Sequence, residues 1–222
     1  MRSTDVDFRR KHSRLEVWDS YVSPLEQPYG RFVLDVLSAG GSDWVLDDGC
    51  GNGRFAEALA ATACRVVALD ISEALTNIAR NRCRNNSVHV IRADMTHLPF
   101  RTSIFDRVLC VNDLWYVKRF REAIHEMNRV LKIDGKCVVD QLNFFGVWNL
   151  GNLTNWRFYW SLLKSLAGKA FVDVGRSYSD FVTPFEKMRC VVFSVNILPE
   201  LEVREGYHTF ASRFLISATK TN

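Results

Sequence analysis

The residues best equipped for chemistry in this sequence are three carboxylates and a group of glycines. In Asp47-Asp-Gly49-Cys-Gly51-Asn52-Gly53-Arg-Phe55 the glycines alternate with other residues behind a leading acid. Glycine lets a ligand come close to the backbone where a Cβ would block it. A loop that opens onto a helix start also offers free N–H groups. The dinucleotide fingerprint G-x-G-x-x-G would need a third glycine at position 54, where Arg stands. Asp47 would repel a pyrophosphate and attract an ammonium. The loop therefore favours a cationic, phosphate-free ligand. Asp70, in Ala68-Leu-Asp-Ile71, suits a ribose diol, because one carboxylate can accept from two hydroxyls. Ile71 can pack on an adenine face. Asp94, in Arg92-Ala-Asp-Met95, can accept from an adenine amino group, with Met95 as its apolar neighbour.

These acids do useful work only if strands end beside them. The apolar run Trp44–Asp47 predicts a first strand and Arg54–Ala63 the helix after it, with Phe55, Leu59 and Ala63 on one face. Arg65–Asp70 predicts a second strand, and Ser72 an N-cap before a helix over Glu73–Asn85. Val88–Arg92 and Arg107–Val111 predict two more strands. A helix over Arg119–Leu131 puts Phe120, Ile124, Met127 and Leu131 on one face. After a turn at Gly135, Lys136–Leu142 predicts a fifth strand. Strands this apolar, alternating with helices, imply a mostly parallel sheet covered on both faces, with ligands at the strands' carboxyl ends. Asp47, Asp70 and Asp94 all stand at such ends. Toward the termini, mixed charges over 5–20 and the run Tyr29–Leu37 predict two early helices. Thr183-Pro-Phe-Glu186 has a capping-box pattern and predicts a helix to Asn196. Leu201–Tyr207 and Phe210–Ala218, joined by His208-Thr209, predict an antiparallel hairpin.

With these residues in place, the chain resembles the class I S-adenosylmethionine-dependent methyltransferases, especially their broad small-molecule group. The resemblance is strong over about 40–142 and returns over 178–218. It implies an α/β, Rossmann-like fold: a seven-stranded mostly parallel sheet with the last strand antiparallel and helices on both faces. It implies S-adenosyl-L-methionine as cofactor and S-adenosyl-L-homocysteine as product. Asp47, Gly49, Gly51, Asn52 and Gly53 would hold the methionine end. Asp70 and Ile71 would hold ribose and adenine, and Asp94 and Met95 the adenine. Asn112 would face the methyl-transfer site. Ile133-Asp-Gly135 departs from the family's Pro-Gly-Gly, in a turn remote from the cofactor.

Methyl transfer needs alignment and, for a protonated acceptor, a base. Asp113 is the candidate general base; its alternative role is a turn or helix cap. Tyr21, Tyr29, Tyr116, Gln141 and Trp148 are candidates to orient an acceptor. Asn112-Asp-Leu-Trp115 differs from the [DN]-P-P-[YF] run of enzymes that methylate nucleobase amino groups, and no Cys follows a Pro. The partner expected is a small-molecule acceptor; nucleic acid is disfavoured. An RNA acceptor, motivated by the basic run Arg9–His12, stays open, as does a non-catalytic cofactor-binding protein. A nicotinamide oxidoreductase is disfavoured by Asp47 and Arg54.

The 222 residues imply one domain. It divides into an N-terminal helical cap (1–40), a cofactor core (41–142), a lid or substrate insert (143–182), and a last helix with the terminal hairpin (183–222). The insert holds ten aromatics in forty positions, against 12% for the whole chain. That density admits packing of a lid, an apolar acceptor pocket, or peripheral membrane contact through Trp156–Trp160 with Lys164 and Lys169. Neither a signal peptide nor a bilayer-spanning apolar run is present in the sequence, and the six cysteines form no C-x-x-C pair. The expectation is a cytoplasmic enzyme with no structural metal.

Overall fold

The apolar runs of the core become parallel strands. The computed structural model describes residues 23–62, 64–84, 87–142, 182–196, 201–206 and 213–221. The helix expected over 5–20 and the insert expected over 143–182, save Val182, lie outside them. The strands are β1 (Trp44–Asp48), β2 (Arg65–Asp70), β3 (Val88–Arg92), β4 (Phe105–Cys110), β5 (Leu131–Leu142), β6 (Arg189–Asn196), β7 (Glu202–Glu205) and β8 (Arg213–Thr219). They form one sheet in the order β3-β2-β1-β4-β5-β8-β6-β7. β1 to β5 are parallel, and β8 runs antiparallel to both β5 and β6. Strand order reverses between β1 and β4, where such sheets open a crevice.

Alternating side chains feed two apolar layers. Leu46, Val108, Cys110, Cys137, Val139 and Ile216 face the helix α4 (Phe120–Val130), which inserts Phe120, Ile124 and Met127 at helical spacing. Val45, Val66, Ala68, Leu109, Val138 and Leu215 face the other way, toward α1 (Pro28–Leu37) and α2 (Arg54–Ala60). α3 (Glu73–Arg82) starts where the sequence implies, with the Ser72 hydroxyl accepting from the Leu75 N–H. Both α2 and α3 stop three residues short of expectation, and Ala63 lies outside the described residues.

The C-terminal part differs most from the sequence reading. In place of a helix to Asn196 there is a short 3-10 turn over Thr183–Phe185, then β6. The turn keeps Pro184 in its first positions but has no side-chain cap bond. Cys190-Val-Val-Phe-Ser-Val195 is dominated by β-branched and aromatic residues, and pairing with β7 and β8 on both sides overrides the capping pattern. The hairpin is also re-paired. β7 hydrogen-bonds to β6, while β8 inserts between β5 and β6. The sheet thus has eight strands rather than seven, with β7 as an added edge. Gly135 is not a turn before β5 but lies within it. The register shifts between Phe105 and Arg107, and Asp134 takes a positive φ of 60°. Among the described residues, no helix is long and apolar enough to cross a membrane.

Candidate cofactor site

The loop between β1 and α2 is tied down by backbone bonds. The N–H groups of Gly49 and Cys50 both donate to the Leu69 carbonyl on β2, at 2.8 and 2.9 Å, and Gly53 N–H donates to the Cys50 carbonyl at 2.9 Å. Gly49 has φ +82°, and a Cβ there would overlap the Asp113 carboxylate. Any other residue at 49 would be strained twice, by φ and by contact. Asp70 closes the turn from the neighbouring strand. Its Oδ2 accepts from Gly51 N–H at 2.9 Å and its Oδ1 from Ser72 N–H at 2.7 Å. The two bonds fix the carboxylate's orientation at the end of β2, beside the glycine loop.

Asp47, Gly49, Gly51, Asn52, Asp70, Asn112, Asp113 and Tyr116 line one cleft at the switch point, with Cys50, Arg54, Phe55, Leu75 and Val111. Gly53 stands just outside, as the left-handed N-cap of α2. Ile71, Asp94 and Met95 are not part of this lining. Asp94 Oδ1 accepts from the Thr96 N–H and hydroxyl, at 2.9 and 2.8 Å, and Met95 is buried against Leu98 in the α4 layer. Tyr21 and Trp148 lie outside the described residues. Tyr29 and Gln141 are buried, at 7% and 2% exposure.

The cleft is strongly acidic. Asp47 is 3% exposed, and its Oδ2 is buried without a hydrogen-bond partner. Burial pushes its pKa up to about 7; the Ala56 N–H bond opposes this and the Asp70 charge adds to it. Asp48 lies beneath with no exposure and both carboxylate oxygens unpartnered, driven well up by burial and by Asp113. Asp113 keeps an opening to the cleft, and burial with Asp70, Asp47 and Asp140 raises it as well. Carboxylates held this close resist ionising together. Such a set is matched by a cation and mismatched by a pyrophosphate. The orphaned Asp47 oxygen and the glycine cradle fit a ligand that brings an ammonium and a nucleoside.

Sequence reasoning missed the support behind Asn112. Asp140, fully buried on β5, accepts from Asn112 N–H at 2.7 Å and from the Tyr29 hydroxyl at 2.8 Å. Arg213 on β8 spans Asp140 Oδ2 at 2.7 Å and Asn112 Oδ1 at 2.9 Å, with its guanidinium 4.8 Å from the Tyr29 ring centroid. Burial alone would lower Arg213, but Tyr29 and Asp140 outweigh it and raise it; burial raises Tyr29. The network holds Asn112 at φ +63°, a conformation costly for a non-glycine residue. The available signal was an acid inside Cys137-Val-Val-Asp140 and a base inside Ser212-Arg-Phe-Leu-Ile216. Both read only as strand until their partners are known.

A parallel sheet with an acid-lined glycine cradle at its switch point defines an α/β domain built for a cationic nucleoside ligand. Residues 46–139 match the family described as methyltransferase domain. A demethylmenaquinone methyltransferase of Clavibacter sepedonicus is 38% identical over 96 residues, covering 43% of this chain and 39% of that protein. One from Tropheryma whipplei is 34% identical over 109 residues, covering 49% and 46%. The chain thus spans about half or less of the length of these curated relatives. A crystal structure of a methyltransferase from Thermotoga maritima has a TM-score of 0.70 at 21% identity, covering 98% of this chain and all of that one, and shows the shared fold.

Proposed function

We propose that the protein transfers a methyl group from S-adenosylmethionine to a small-molecule acceptor. The observation that carries this is the buried, unpartnered Asp47 Oδ2 at the rim of the glycine cradle, with Asp70 and Asp113 beside it. Asp47 takes the ammonium, the cradle accommodates the methionine backbone, and Asp70 takes the ribose diol. The cofactor, when bound, supplies an electrophilic methyl on a sulfonium that leaves as a neutral thioether. The protein's share is then orientation and proton removal. Asn112, locked by Asp140 and Arg213, forms the wall at the transfer site. Asp113 faces the same cleft beside Asn112, so it is the general base for an acceptor that carries a proton. Tyr116, an aromatic of the cleft lining, aligns that acceptor.

The acceptor we favour is apolar and lipid-like. The names of the Clavibacter and Tropheryma relatives support it, as does the aromatic density of 143–182 in the sequence. A nicotinamide dinucleotide is disfavoured by Asp47 and Asp113 beside the glycine loop, where its pyrophosphate would lie. The cytoplasm remains the proposed location. Five of its six free cysteines are buried, as suits a reducing compartment. Isothermal titration with S-adenosylmethionine tests the reading: saturable binding with no response to NADH is expected, and no heat at millimolar cofactor would sink it.

A further inference from the structure

The carboxylates of the cleft are not equivalent. Asp70 has both oxygens engaged by backbone N–H groups and sits where a ribose belongs. Asp47 has one orphaned oxygen for the ammonium. Asp48 is sealed under the floor and cannot reach a ligand. Asp113 is left over. It opens to the cleft, follows Asn112 directly, and presses its carboxylate on Gly49. It does not cap the 3-10 turn Leu114–Tyr116 that it precedes. Arg213, behind Asn112, is committed to Asp140 and Asn112. Arg54, a cation in the lining, opens α2, and its charge acts on Asp47.

The cofactor and its product differ by one charge. Both carry the ammonium that Asp47 can hold and the ribose that Asp70 can hold, but only the cofactor has a cationic sulfur. We infer that Asp113 is a charge discriminator, which makes this site prefer S-adenosylmethionine over S-adenosylhomocysteine. The inference rests on the cofactor reading above. Asp113 gains a counter-charge when the cofactor arrives and loses it when the methyl has gone. With that counter-charge gone, the neutral product is released more easily.

The test is calorimetric titration of the 222-residue chain at neutral pH with S-adenosylmethionine, S-adenosylhomocysteine and sinefungin, whose amine replaces the sulfonium. The wild type is expected to bind both cations at least about tenfold more tightly than the neutral product. Asp113→Asn is expected to bring the ratio within about threefold by weakening the cations alone, and Asp113→Glu, which keeps the charge, to retain the preference. Equal wild-type affinities, or an Asp113→Asn loss shared equally by all three ligands, overturns the inference while the cofactor reading stands. If none of the three binds, both fall together. Thermal melts of the two variants confirm that each is folded.

Discussion

The state of Asp47 makes ligand affinity depend on pH in a way that can be calculated. In the empty cleft its pKa is about 7. An ammonium needs the ionised form, so binding must pull a proton off wherever the empty site holds one. S-adenosylhomocysteine is the right probe, because its ammonium reads Asp47 while its neutral sulfur leaves Asp113 aside. A free α-amine titrates near 8, so between about pH 7 and pH 5 the ligand's own charge is nearly constant. Over that window the ionised fraction of Asp47 falls from about one half to about one hundredth. Affinity should therefore fall roughly 10- to 90-fold on acidification, about 1.4–2.7 kcal/mol, the range allowing about a unit either way in the pKa. Asp47→Asn should bind weakly at neutral pH and show a nearly flat profile, measured by calorimetry at each pH. A flat wild-type profile, or an equal slope in the variant, refutes the assignment of the ammonium to Asp47.

The same group governs stability of the ligand-free protein. Its folded pKa lies above the unfolded carboxylate value, so the folded state binds the extra proton and stability is lost as pH rises toward 7. From Asp47 alone, moving from about pH 7.5 to pH 6 should add about 1 kcal/mol; urea unfolding of wild type against Asp47→Asn reads it, and no difference in pH slope counts against the buried acid. Asp70→Ala should weaken S-adenosylmethionine about ten- to a hundredfold if a charged hydrogen bond of roughly 1.5–3 kcal/mol is lost; unchanged affinity discredits the ribose assignment. Arg213→Met leaves Asp140 buried without its cation and should cost about 3–5 kcal/mol, which Asp140→Asn in the same chain partly restores. A loss within about 0.5 kcal/mol would show that the pair is not sealed from water.

That Asp47, Gly49, Gly51 and Asp70 share one cleft was legible because their signals are local in sequence. Gly49 combines a positive φ with a backbone approached by the Asp113 carboxylate, so it announces the loop by type alone. Asp47 and Asp70 end strands whose apolar runs are unmistakable. Asp94 is a different case. It ends a run in the same way, yet its carboxylate turns back on Thr96. The C-terminal region was misread for a different reason. Thr183-Pro-Phe-Glu186 satisfies a local rule for starting a helix, but whether Cys190–Val195 forms strand depends on neighbours more than ten residues away.

By itself, then, the sequence determined the strand–helix alternation, the glycine loop and the acids at the ends of the first two strands. These depend on contacts within a few residues. The tertiary structure decided the rest. It inserted β8 between β5 and β6, and so carried Arg213 across 73 positions to Asp140 and 101 to Asn112. It also drew Asp47, Asp70 and Asp113 into one cleft, where burial and mutual repulsion raise Asp47 and Asp113 and leave a place for a cation. The physical reason is that a charge's energy depends on its desolvation and on what stands beside it, and neither is defined until the strands pair.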